Sequence, residues 1–352
     1  PSPSNRLYKN SSPKLKMPED KDTPKKENQP RSRSRRGGGR TRGRPNESPK
    51  NESEDSTDLK DPPMKKSSET KGDRVSQDSP RRRTAKKYTP RDERAPSVTY
   101  VRDLKGKRPI VALTAYDAPM AKLVSDAGVD FLLVGDSVGT TMLGFGTTIR
   151  VTLDAMVHHT AAVRRGNPDC LILADLPFGE ASLSFDRLLE SCRRLMQEGG
   201  ADGVKIEGGK DVADDIERLI ATGIPVMGHV GLLPQTVKAI GGYRKFANDK
   251  EEAQDIFTDA IALEEAGCFA IVFEMIREEV ATELTRHLEI PTIGIGSGSG
   301  CDGQILVTTD VLGLTPGDVP SFVKPYAQLA GEAGKALGRF VGDVREGRYP
   351  KS

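Results

Sequence analysis

The sequence predicts an α/β protein: a (β/α)8 barrel preceded by a disordered N-terminal tail. Three observations carry that prediction. Composition and charge change near residue 96, the chain beyond it has the usual length of one barrel, and eight short apolar runs alternate there with amphipathic helical stretches. Of the 53 Lys and Arg and the 51 Asp and Glu, 27 and 15 fall in residues 1–95, leaving 26 basic and 36 acidic residues in 96–352. The near-neutral total is therefore a cancellation between a basic segment of net +12 and an acidic one of net −10.

Residues 1–95 are rich in Ser, Pro, Lys, Arg and Glu and lack apolar periodicity. Such a segment cannot bury enough apolar surface to offset its chain entropy, so disorder is expected. Within it, residues 31–44 read RSRSRRGGGRTRGR, a composition suited to weak nucleic-acid binding through phosphates, although no aromatic residue interleaves it and a solvated linker reads the same way. Fifteen acidic residues argue against a mitochondrial transit peptide, which makes a cytoplasmic location the expectation and a mitochondrial one the alternative. No apolar run is long enough to span a membrane. Cys170, Cys192, Cys268 and Cys301 show no CxxC spacing and read as reduced, buried thiols.

In the segment 96–352 the apolar runs are 110–114, 131–135, 171–174, 203–206, 225–228, 270–273, 292–295 and 304–307. Asp117 can cap a helix beginning near Pro119, with Gly128 after its last turn, and Thr152 can cap one that ends before Gly166. A partial repeat points the same way. Ala127-Gly128-Val129-Asp130, Gly200-Ala201-Asp202 and Ala266-Gly267-Cys268 each read as a helix end feeding a strand.

Ionisable residues fall where a barrel keeps its chemistry. Asp136, Asp175, Glu207, His229 and Glu274 each lie at the C-terminal end of an apolar run, and in a barrel those ends surround one mouth. Alternation along a strand puts Lys205 on the same face as Glu207. Any one of them alone has a bland reading, such as a helix cap or a satisfied core histidine. Five together point to a site. Several carboxylates with one Lys and one His favour a hard, oxygen-ligated cation such as Mg²⁺ over zinc. The Gly298-x-Gly300-x-x-Gly303 match to a dinucleotide fingerprint opens no clear helix and reads as coincidence; the run 294–300 reads instead as a loop keeping the mouth open. His158 and His159, adjacent on a helix, do not share a face for joint ligation.

The segments TAYDAPMAKL, FLLVGDSVG, VTLDAMVHHTAAVRRG, LADLPF, VKIEGG, PVMGHVGLLPQ, GGY and IPTIGIGSGSGCDGQILV resemble, in order from about Thr99 to Tyr349, the ketopantoate hydroxymethyltransferase family. The resemblance implies a TIM barrel of the phosphoenolpyruvate mutase and isocitrate lyase superfamily. It also implies transfer of a hydroxymethyl group from 5,10-methylenetetrahydrofolate to 3-methyl-2-oxobutanoate in pantothenate biosynthesis, through a Mg²⁺-stabilised enolate. By the same resemblance Asp136, Asp175 and Glu207 form the metal site, Ser137 and Lys205 hold the keto acid together with the metal-site aspartates, His229 lines its pocket, and Glu274 is the catalytic proton acceptor. A homo-oligomer, often a decamer in the family, is implied as well. The chain departs from the family's usual pattern at Phe145 to Thr152, at Met275-Ile276-Arg277 after Glu274, and at Thr309, where a histidine is usual before Asp310. These departures touch folate placement and loop closure and remove no proposed metal ligand. Two other readings stand beside this one: a folate-independent lyase or mutase on the same Mg²⁺-enolate chemistry, and an idle barrel serving as scaffold for an RNA-binding tail.

Overall fold

The computed structural model describes residues 97–166, 168–317 and 319–350. The expected tail, with its arginine-rich run, lies outside the described residues.

Eight parallel strands close into a barrel in sequence order: β1 (Ile110–Thr114), β2 (Phe131–Val134), β3 (Leu171–Asp175), β4 (Gly203–Glu207), β5 (Val226–Gly231), β6 (Ala270–Glu274), β7 (Thr292–Ile295) and β8 (Gly303–Leu306). Helices Ala118–Asp126, Leu153–Arg165, Phe185–Gln197, Lys210–Ala221, Lys250–Glu265 and Glu278–His287 fill the first six crossovers. The caps read from the sequence are formed. Asp117 accepts from Met120 N at 2.7 Å and Thr152 from Ala155 N at 3.2 Å, each satisfying an N–H that the first helical turn leaves free.

Two details refine the sequence reading. Asp175, Glu207 and Glu274 are the last residues of their strands and His229 lies within β5, because the parallel ladder continues through them: Asp175 pairs with Lys205, Glu207 with His229 and Gly231 with Glu274. The seventh crossover, between β7 and β8, contains no helix. Gly296 and Gly298 take positive φ there, and Glu278 Oε1 accepts from both the N–H and the hydroxyl of Ser299, so a short loop does the work of a helix. Gly303 begins β8, and the dinucleotide-like spacing thus opens no helix.

Strand alternation separates two apolar layers. Leu132, Val134, Ile172, Ala174, Val204 and Ile206 face outward into the core shared with the helices. Ile110, Ala112, Phe131, Leu133, Leu171, Leu173, Met227, Ala270, Val272, Ile293 and Ile305 face inward and fill the lower barrel, where Val101 and Leu104 join them. The same inward parity, carried up the strands, brings Asp175 above Leu173, His229 above Met227 and Glu274 above Val272. The apolar plug therefore becomes a polar floor at the mouth.

At the opposite end of the barrel an aspartate device recurs. Asp130, Asp202 and Asp302 precede β2, β4 and β8; each accepts from a backbone N–H of a neighbouring strand, Val111, Ile172 and Thr292 respectively, at 2.8–2.9 Å. Each also pairs with a basic side chain, Arg108, Arg164 or Lys105. Each carboxylate thus ties one strand's entry to its neighbour's ladder. Three of the four cysteines are buried and Cys301 is half-buried. Burial pushes the Cys192 and Cys268 thiols up to about 12, which leaves them protonated and unreactive. Among the described residues no helix is long and apolar enough to cross a membrane.

Candidate active site

All seven candidate residues, Asp136, Ser137, Asp175, Lys205, Glu207, His229 and Glu274, line one cavity of about 670 Å³ at the C-terminal mouth of the barrel. These seven come from the ends of five consecutive strands, β2 to β6, which is how residues far apart in sequence meet.

Lys205 is the electrostatic centre. Its ammonium lies 3.2 Å from Asp175 Oδ1, 4.0 Å from Glu207 Oε1 and 3.1 Å from His229 Nδ1, with its side chain only 6 % exposed. Burial opposes its charge, yet Asp175, Glu207 and Asp136 together hold its pKa above the ordinary lysine value. An ammonium can only donate, so His229 Nδ1 must accept and the imidazole carries its hydrogen on Nε2. Burial, then the Lys205 charge, push His229 well below its ordinary value and keep it neutral. Its Nε2 lies 3.3 Å from Glu274 Oε2, outside hydrogen-bond alignment.

The carboxyls respond to the same enclosure. Burial and then the charge of Asp175 raise Asp136 to about 7; burial, partly opposed by Lys205, raises Asp175; burial lifts Glu207 well above its ordinary value. Glu274 is raised to about 8, first by burial and then by Asp136 and Asp175 against the relief from Lys205. Four acids facing one lysine form an electron-rich pocket short of positive charge.

That pocket fits a hard cation. Asp136 and Asp175 are adjacent, the Asp136 N–H donating to Asp175 Oδ2 at 3.0 Å, while the buried Asp175 Oδ1 faces the Lys205 ammonium at 3.2 Å and has no well-aligned hydrogen bond among the described residues. Among the described residues no three His, Cys, Asp or Glu side chains are gathered closely enough to cage a metal by themselves. A Mg²⁺ ion needs no such cage, since it is commonly held by one or two carboxylates with water and substrate oxygens filling the rest.

Several residues in or against the site escaped the sequence reading. Gln235, in the turn Pro234–Thr236, donates through its side chain to Asp136 Oδ2 at 3.0 Å and to Leu176 O at 2.9 Å, and through its backbone to Glu207 Oε2 at 3.2 Å. It thereby fixes two of the acids relative to each other. Tyr116, fully buried, bonds the Ser137 hydroxyl at 2.8 Å. Asp310 and Thr315 line the cavity from beyond β8. Of these, only Tyr116 and Gln235 fall in the segments that carried the resemblance, and no periodicity marked either. His159, by contrast, is structural: its Nδ1 donates to Tyr116 O at 2.8 Å.

The chain is similar to known proteins over the length of the barrel. The family profile for ketopantoate hydroxymethyltransferase matches residues 97–352. The 3-methyl-2-oxobutanoate hydroxymethyltransferase of Halalkalibacterium halodurans is 49 % identical over 244 residues, 69 % of this chain and 88 % of that protein. That of Pseudothermotoga lettingae is 47 % identical over 254 residues, 72 % of this chain and 96 % of that protein. Among solved structures, a 2,3-dimethylmalate lyase of the PEP mutase/isocitrate lyase superfamily aligns with a TM-score of 0.47 at 15 % identity, over 72 % of this chain and 86 % of that one.

Proposed function

From its membership of the ketopantoate hydroxymethyltransferase family, in which this chain is an enzyme of hydroxymethyl transfer, we propose a specific chemistry for the cavity. The acceptor is 3-methyl-2-oxobutanoate, the donor 5,10-methylenetetrahydrofolate, and the product 2-dehydropantoate. Asp136 and Asp175 hold a Mg²⁺ ion, with Glu207 the third acidic group of the site. When bound, the cation supplies Lewis-acid polarisation of the 2-oxo group, which acidifies the neighbouring C3–H.

The protein's own groups do the rest. Lys205 and Ser137 hold the carboxylate and oxygen of the keto acid, Lys205 supplying positive charge where negative charge develops. Glu274, inward-facing on β6, takes the single C3 proton. The C3 electron pair then forms a bond to the one-carbon unit, which the opened folate presents as an iminium, and the C=N electrons return to nitrogen. Water supplies the hydroxyl as the carbon–nitrogen bond breaks, releasing tetrahydrofolate. His229, neutral and donated to by Lys205, keeps its Nε2 toward Glu274.

The observation that carries this reading is Glu274 itself, a carboxyl lifted by burial to about 8 within the cavity that also holds Lys205 and the aspartate pair. A base poised near neutral pH is what proton removal beside a carbonyl demands. The test is to incubate the protein with the keto acid and Mg²⁺ in D2O, with and without the folate. Deuterium entering C3 without folate, and ketopantoate forming only with it, is the expected pair of results. Failure of C3 to exchange overturns the base assignment, and product formation without folate overturns the donor.

A further inference from the structure

A five-carbon keto acid leaves much of the cavity unfilled, since about 670 Å³ is the size of a site for a drug-sized ligand. The unassigned part lies on the far wall. In the closed order of strands β8 stands opposite β4, so the segment after β8 faces Lys205 and Glu207 across the mouth. That wall is built from Asp310, Thr315, Pro316, Val319 and Phe322.

Asp310 is the unusual member. It is only 7 % exposed and lines the cavity, yet among the described residues it has no cationic partner. Thr315 donates its hydroxyl to Oδ1, and the Thr309 hydroxyl stands 3.0 Å behind Thr315. Thr315 has a single hydroxyl hydrogen, and a carboxylate cannot donate one, so the relay runs from Thr309 to Thr315 to Asp310. Oδ2 has no hydrogen-bond partner among the described residues. A carboxylate oxygen open to a cavity is free to accept from a ligand that brings N–H groups. The same cavity also carries an aromatic surface. Phe322 is 39 % exposed and rests against the backbone of Gly296, where a Cβ would come within 3.1 Å of the ring. A side chain at that position would displace the ring.

We propose that Asp310 and Phe322 form the subsite for the fused heteroaromatic ring of the one-carbon donor. The carboxylate accepts from a ring N–H and the adjacent exocyclic amino group, and Phe322 packs on the ring's π-face. This assignment rests on the folate reading above and names where that co-substrate sits. Its chemistry is specific. The amino-pyrimidinone edge of a pterin presents two parallel donors at the spacing of a carboxylate's two oxygens, as a guanidinium does. The placement also divides the labour, with acids and lysine at the keto-acid end and a single carboxylate with apolar plates at the donor end. Thr309 sits in the relay where the family usually has histidine, so in this chain a hydroxyl orients Thr315.

The test is calorimetric titration of the Mg²⁺-supplied protein with tetrahydrofolate, comparing wild type, Asp310→Asn and Phe322→Ala, with the keto acid titrated separately. Replacing the carboxylate by an amide offers N–H groups to a donor edge, and affinity for tetrahydrofolate should fall about 10- to 100-fold. Removing the half-exposed ring should weaken it about 5- to 100-fold without threatening the fold. Keto-acid affinity should stay within about twofold in both variants. Unchanged tetrahydrofolate binding in both variants overturns the subsite and leaves the proposed function intact, as does an equal loss for keto acid and tetrahydrofolate. A wild-type protein that exchanges C3 deuterium yet does not bind tetrahydrofolate overturns the folate reading and the subsite with it.

Discussion

Glu274 shows what the site costs the molecule. Its carboxyl rises from the ordinary 4.5 to about 8 because burial, then Asp136 and Asp175, disfavour its charge. A group with a raised folded value binds more protons in the native state, so its contribution to stability is full below about 4.5 and is lost as pH rises through about 8. Glu274→Gln removes that loss: without added metal the variant should melt above wild type near pH 9, converging with it near pH 4, while ketopantoate turnover falls about 10²–10⁴-fold. A lower melting temperature near pH 9 would make Glu274 a mere anchor of the strand end. Gly231 guards the same residue from behind. It sits at φ +97°, and a Cβ there would lie 2.2 Å from the Glu274 carbonyl oxygen. Gly231→Ala should lower stability by about 1–3 kcal/mol through left-handed strain and the clash, shifting the urea midpoint, and should slow C3 exchange as the end of β6 moves. Asp175, Glu207 and Glu274 were legible in the sequence because each closes an apolar strand, and Lys205 because alternation puts it on the face of Glu207. Gln235 and Asp310 were not, because both lie in short turns beyond strand ends, Pro234–Thr236 and Thr308–Val311, where no periodicity constrains a side chain.

Among the elements, the eight strands were legible from their apolar runs, and the ends were not. The sequence marks where apolar residues stop, whereas the ladder stops where backbone partners run out, so β3, β4, β5 and β6 each continue into polar residues. The helix-free seventh crossover was legible in part: the glycine-rich run 294–300 reads as a loop that opens no clear helix, though it does not say that the loop alone joins β7 to β8. The aspartate devices below the strands are a third feature that spacing alone hinted at, through the repeat that ends in Asp130 and Asp202. Burial opposes the charge of Asp130, yet its hydrogen bonds from Arg108 and Val111 outweigh it and hold its pKa below the ordinary value. Stability from this group is therefore present above the ordinary carboxylate value and lost as pH falls through the depressed one. Asp130→Asn should lower the melting temperature at neutral pH, with a loss on the order of 1–3 kcal/mol that shrinks in acid. At temperatures where the variant is folded its kcat should match wild type, because Asp130 lies at the end of the barrel away from the mouth; a large fall in kcat would contradict that placement.

For the barrel as a whole, the joints between strands are unequal. β5 and β6 share five register pairs, β1 and β8 four, reinforced by Thr308 donating to Thr114 O and Thr114 Oγ1 accepting from Thr308 N, whereas β7 and β8 share two. Amide exchange should therefore appear first between β7 and β8 and last between β5 and β6, a ranking that hydrogen-exchange mass spectrometry reads directly. Uniform protection around the ring would show that the outer helices, not the ladder, set local opening. Closure in sequence order was legible only as the count of eight, because register depends on partners that no single strand encodes. It also determines how the protein fails. A ring of strands offers no unpaired edge on which a second chain can add, so the native barrel gives aggregation no template. Clumping on heating then has to wait for a joint to part, and its rate should follow the rate of unfolding rather than the concentration of folded protein.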